Sequence, residues 1–164
     1  MPTSIHPHDG IKIFSATISH QPLGLAIHSP EHWARPTRCF ENVLGKVGRD
    51  GGATRFGWTF HYRIAPSAGE YLFVIHHAVW HAPDGRLVDV TPFHDDPKHH
   101  PITEGNGVLF LVDDAARPVE TENLIAPLPM RYFPLSDDER LVSYVGKLNR
   151  KEQLKCQEIY EGRI

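Results

Sequence analysis

Residues 70–92 read EYLFVIHHAVWHAPDGRLVDVTP, and this stretch decides the fold. Residues 70–82 are a long run rich in β-branched and aromatic side chains, and residues 86–92 are a second, shorter one, which predicts two strands. Pro83-Asp84-Gly85 between them suits a three-residue hairpin loop, with Pro and Asp right-handed and Gly left-handed as a bulge. Ala82 then faces Arg86, and Asp89 falls opposite Val79. In that register Asp89 shares a face with His77 and His81 and lies diagonal to both, within side-chain reach. A two-residue Asp84-Gly85 loop would slip the register by one and put Asp89 on the face of His76 instead. Proline at the first turn position favours the three-residue form.

Working outward, GWTFHYRI at 57–64 alternates apolar and polar residues, as a half-buried strand does. VLFLVDD at 108–114 reads as a further strand, and the segment between 92 and 107 as a loop. Upstream, Phe40, Val43, Leu44 and Val47 have the i, i+3, i+4, i+7 spacing of a helix with one buried face. Thr37 is its expected N-cap, GRDGG at 48–52 ends it, and Cys39 falls in its first turn. Ile11 to Ile18 alternates loosely and reads as a strand. Residues 115–135 carry four prolines and read as irregular wrapping. Ser136 with Glu139 forms a capping-box pattern. It opens a helical segment over 136–162 with Leu141, Tyr144, Val145 and Leu148 in one stripe. The stripe falters around Asn149 to Gln153, so two helices are an alternative to one. Helix, antiparallel sheet and terminal helix in that order make the chain α+β. It reads as a single domain over 1–164, with a catalytic core at about 30–115.

Composition narrows the function. With 164 residues, 40% hydrophobic and 23% charged, the chain is an ordinary globular domain able to bury a core. Its net charge of −3 and lack of a basic stripe argue against a nucleic-acid partner. No apolar run approaches the ~20 residues needed to span a bilayer, and MPTSIHPHDG is not a signal peptide. The expected location is cytoplasmic, where the two cysteines, Cys39 and Cys156, are not expected to pair.

Chemistry converges on Cys39. A thiol attacks a carbonyl only as its thiolate, and a helix N-terminus favours that form through unpaired N–H groups and the macrodipole. A general base must reach the sulfur, and a third group must orient the base. The 70–92 hairpin supplies both, with His77 as base and Asp89 as orienting acid. His81 lies nearer the turn, and His76 faces the other way as a structural histidine. Asp89, between Val88 and Val90, needs a polar partner in so apolar a run. Beside the Cys39 backbone N–H, candidate oxyanion donors are Trp33, His32 and Asn42. Trp58 and Trp80 are candidate cleft walls, with packing inside the sheet as their alternative. Cys156 is a bystander.

Cysteine at a helix start, histidine on a strand and aspartate on the next strand resemble the transglutaminase-like branch of the papain-like cysteine enzymes. HAVW and the later LVDVTP resemble that group's histidine–aspartate hairpin. RCFEN and LVDV are also similar to arylamine N-acetyltransferases, although Pro36-Thr37-Arg38 replaces the glycine pair before their cysteine. CFENV, GG, GW, HAVW and LVDVTP together resemble a bacterial group sometimes fused to a small zinc-binding tail. The likeness spans Cys39 to Pro92. It implies thioester chemistry on a protein, peptide or small amide, by hydrolysis, deamidation or transfer, with no cofactor. Two other readings remain. Six of the 12 histidines lie between 76 and 100, so a metal-dependent site built on His81, His94 and His99 is one. His77 and His81, four apart on a strand and ~13 Å between Cα atoms, could not share one ion. A non-enzymatic interaction module is the other.

Overall fold

A computed structural model describes residues 1–162. In chain order the elements are α1 (Pro7–Ile18), β1 (Leu23–His28), α2 (Cys39–Asp50), β2 (Ala53–Ala65), β3 (Gly69–His81), β4 (Leu87–Asp89), β5 (Thr103–Glu104), β6 (Gly107–Val112), β7 (Val119–Glu120), β8 (Ile125–Ala126), β9 (Arg131–Pro134) and α3 (Glu139–Tyr160), with a 3-10 turn at Pro97–His99. This is the α+β class expected. The chain divides into two compact units, so the expected single domain has two packing centres. One comprises Gln21–Thr59 and His76–Ala116. The other comprises Met1–His20, Phe60–Ile75 and the chain from Arg117 onward.

The first unit holds every predicted catalytic residue. Its strands run in the order β1-β4-β3-β2-β6-β5, and β1 also pairs with β6, so the sheet closes on itself. The sheet is not wholly antiparallel as expected, because β1 lies parallel to β4. A parallel neighbour needs a long crossover, and the chain from Ser29 to Arg86, with α2 in it, provides one. Ala26, Val79, Phe110 and Val112 are buried inside, with Leu87 against them. Gly57 permits closure, since a Cβ there would lie 2.0 Å from the Leu111 carbonyl oxygen.

The hairpin adopts the three-residue loop. Trp80 pairs with Val88 and His81 with Leu87. Ala82 N donates to Arg86 O at 2.9 Å, Gly85 N donates to Ala82 O at 2.9 Å, and Gly85 has φ +92°. The second strand is shorter than read, ending at Asp89, because the chain then turns under its own side chains, as described below.

In the second unit, residues 7–18 form a helix, which replaces the strand expected over 11–18. Pro7 occupies the first turn, where its missing N–H costs nothing, and the His6 ring caps the His8 N–H at 3.1 Å. Gly10, Phe14 and Ser15 are buried, a helical spacing, whereas Ile13 is exposed. Phe14 stacks on Phe133 and meets the edge of Phe60. Strand β9 extends the first half of β3, pairing Tyr71 with Pro134 and Phe73 with Tyr132. So residues 115–135 are less irregular than read, holding β7, β8 and β9. Helix α3 buries Leu141 and Val145 against Tyr71 and Phe73. It is one helix. Where its apolar stripe falters, Asn149 bonds both backbone groups of Tyr132, and Glu152 accepts from Met130 N, so polar side chains tie the helix to the strand edge. Its N-cap is Asp138, which accepts from Arg140 N, while Ser136 accepts one residue group earlier, from Asp138 N; the expected capping box is not formed.

Candidate active site

Cys39 is the first residue of α2. The expected cap Thr37 is displaced. It sits in the left-handed region at φ +64°, so Arg38 occupies the cap position and contributes no side-chain cap bond. The helix turns Cys39, Phe40, Asn42 and Val43 inward. Leu44, expected on that face, is exposed. The buried stripe is rotated toward the polar Asn42, whose hydrogen bonds are all met inside the protein.

His77 leaves β3 toward α2 and β4. Its Nε2 lies 3.0 Å from Asp89 Oδ1, and the Cys39 side chain is near enough to the ring to act on its charge. With Nε2 committed to the carboxylate, Nδ1 is the nitrogen left for the thiol. Asp89 is 2% exposed and Cys39 8%. The same Asp89 oxygen accepts from Thr91 N at 3.2 Å, which bends the chain back at the end of β4. The edge of the His77 ring rests on Phe110. Burial disfavours the imidazolium, yet the Asp89 carboxylate and the Cys39 sulfur outweigh it through charge and hydrogen bonding. Together they hold the His77 pKa well above the ordinary 6.5.

His76 points the other way. Its Nε2 meets Ala116 O at 2.6 Å, and its ring lies among Phe40, Phe56 and Trp58. Burial lowers its pKa to about 4, so it is neutral at pH 7. His81 ends β3 at the hairpin, paired with Leu87.

The other candidates take structural places. Trp33 lays its six-membered ring against Gly45 and under the Arg49 guanidinium, six and ten residues along the helix from Cys39, or ~9 and ~15 Å at 1.5 Å per residue. Asn42 cannot donate to an oxyanion, because its Nδ2 already donates to Arg35 O at 2.8 Å and Thr91 Oγ1 at 3.1 Å. Trp58 is 1% exposed and donates to Asp113 Oδ2, so it is core and not a cleft wall. Trp80 donates to Gly51 O, closing the end of α2. The metal set does not assemble. His94 and His99 meet edge to face at 4.5 Å, but His94 Nδ1 is taken by Asp96 N, and His81 lies at the hairpin. Among the described residues no three His, Cys, Asp or Glu side chains are placed to hold a metal ion. Both cysteines are free thiols, and burial pushes Cys156 up to about 11. Among the described residues no helix is long and apolar enough to cross a membrane.

Sequence reading missed Thr91. Its signal was weak, a threonine two residues after an acid, which is a common turn arrangement. Compared with protein-family models, curated proteins and solved structures, the chain has no significant match.

Proposed function

We propose that this chain is a cysteine-dependent acyl-transfer enzyme of papain-like, transglutaminase-like architecture, acting on an amide of a protein, peptide or small molecule through a thioester. The observation that carries this reading is the position of His77, bonded to Asp89 through Nε2 and close enough to the Cys39 side chain to feel its charge. The fold reading is supported by a nucleophile at the first residue of a helix that faces base and acid on adjacent strands.

His77 Nδ1 takes the Cys39 proton, leaving a thiolate beside an imidazolium. The sulfur attacks the carbonyl carbon and the C=O π pair moves onto oxygen. The Cys39 N–H, at an N-terminus without a side-chain cap, is placed to stabilise that oxyanion. On collapse the carbon–nitrogen bond breaks and the imidazolium gives its proton to the leaving amine. Water or a second amine then attacks the thioester, His77 takes its proton, and the Cys39 thiolate is released. Asp89 keeps the ring oriented and its charge balanced throughout.

The test is the rate of Cys39 alkylation by iodoacetamide at pH 6, in a Cys156→Ser background, with and without His77→Ala. A large loss of rate in His77→Ala supports the pair. Equal rates would remove the triad and with it the proposed function.

A further inference from the structure

The hydrogen bonds around the triad close into a ring. Asn42 lies one helical turn after Cys39, is 6% exposed, and grips the chain before the nucleophile from both sides. Its Oδ1 accepts from Arg35 N at 3.2 Å and its Nδ2 donates to Arg35 O. Between Arg35 and Cys39 stands Thr37 at φ +64°, a conformation a β-branched residue holds only when its surroundings impose it. The turn is closed by Arg38 N donating to Arg35 O at 3.3 Å and by Asn42 N donating to Arg38 O at 2.9 Å. From the same amide nitrogen Asn42 also donates to the hydroxyl of Thr91, itself 5% exposed, and Thr91 N donates to the Asp89 oxygen that holds His77. The path thus runs from α2 through Asn42, Thr91, Asp89 and His77 back to Cys39 on α2. The titratable groups facing His77 are Cys39 from α2 and Asp89 from β4, with His76 beside it along β3.

We propose that Asn42 and Thr91 are positioning residues, a latch that sets the strained turn before Cys39 and the carboxylate of Asp89 in one frame and so fixes the spacing of thiol and imidazole. This rests on the proposed triad and goes beyond it, because the triad needs neither residue for its chemistry. Asn42 acts by bonds to two separate segments, not by donating to substrate.

Three quantities separate a latch from a mere structural bond: the rate of Cys39 alkylation by iodoacetamide at pH 6, the midpoint of the His77 imidazole titration by NMR, and the melting temperature. All are measured in the full chain with Cys156→Ser. Asn42→Ala and Thr91→Val each slow alkylation about tenfold, the scale of a modest misplacement of reacting groups, and both lower the His77 midpoint. Thr91→Ser, which keeps the hydroxyl, restores the rate to within about twofold. The double variant adds little to Asn42→Ala, which already removes the Asn42–Thr91 bond. If Asn42→Ala does not fold, Thr91→Val decides, since it keeps shape and the backbone bond to Asp89 while removing the hydroxyl. A lower melting temperature with unchanged rate and midpoint in Thr91→Val overturns the latch. His77→Ala tells the two failures apart. If it slows alkylation while Thr91→Val does not, only the latch fails; if it leaves the rate unchanged, triad and latch fail together.

Discussion

His76 and His77 are neighbours on one strand, yet the two faces of β3 make them different acids. On the His76 face the ring is packed among aromatic rings with one carbonyl partner, and burial drives its pKa to about 4. On the His77 face burial is adverse too, but the Asp89 carboxylate on Nε2 and the nearby Cys39 sulfur raise the pKa instead. The difference teaches that burial without a counter-charge keeps a histidine neutral, whereas burial beside a carboxylate and a sulfur favours its charged form.

The largest effect should come from removing the ring on the Cys39-facing side, the proposed base. His77→Ala is expected to slow Cys39 alkylation at pH 6 by about 100-fold, the scale of a lost general base. On the other face the readout is stability. His76 has a depressed folded pKa, so the unfolded chain binds the proton more readily between about 6.5 and about 4. The stabilisation it gives is present above pH 6.5 and lost as pH falls, about 3 kcal/mol in all by the 1.36 kcal/mol per pKa unit rule. Denaturant unfolding at pH 7, 5.5 and 4 should show that slope in the native chain and lose it in His76→Gln. His77 has the opposite sign. Its raised folded pKa gives stability that is complete below pH 6.5 and lost as pH rises through the folded value.

Making the His77 face more like the His76 face should give an intermediate effect. Asp89→Asn removes the carboxylate charge and leaves burial less opposed, so the His77 midpoint moves down. Alkylation at pH 6 should slow about tenfold, the cost of a partly misplaced base. A titration of the His77 ring that stays where it was would mean that the carboxylate does not set its charge. The smallest effect tests the register that gives each face its partner. Gly85 has φ +92° and nothing within 4 Å of where a Cβ would stand, so Gly85→Ala adds backbone strain and no clash. A loss of about 1 kcal/mol in urea unfolding is expected, with the alkylation rate close to native if the strands keep their pairing.

How far these places were legible depends on the range of the interactions that make them. The hairpin could be read because its loop is three residues long and its chemistry is local, and the loop alone settles which face Asp89 takes. Cys39 at a helix start could be read from spacing, although the cap beside it could not, since Thr37 is held left-handed by Asn42, five residues on, through its grip on Arg35. Asn42 reads as a donor to an oxyanion because a polar residue one turn after Cys39 gives no sign of its partners. Those partners, Arg35 and Thr91, are seven and 49 residues away. Residues 11–18 misread as a strand because two isoleucines alternate, whereas the side chain that orders the segment is Phe14, buried between rings from Phe60 and Phe133.

By itself, then, the sequence determined the α+β class, the hairpin turn and its register, the helix that begins at Cys39, and the order of cysteine, histidine and acid. Each follows from backbone preference and side-chain periodicity over a few residues, which act before any distant contact forms. Only the tertiary structure decided that the sheet closes through β1 and β6, that Trp33 and Trp58 pack while Asn42 bonds Arg35 and Thr91, and that one of two adjacent histidines is charged more readily while the other is kept neutral. Those outcomes depend on which groups meet across long stretches of chain, and on the loss of water there. A buried polar group takes its character from the partners that replace the solvent.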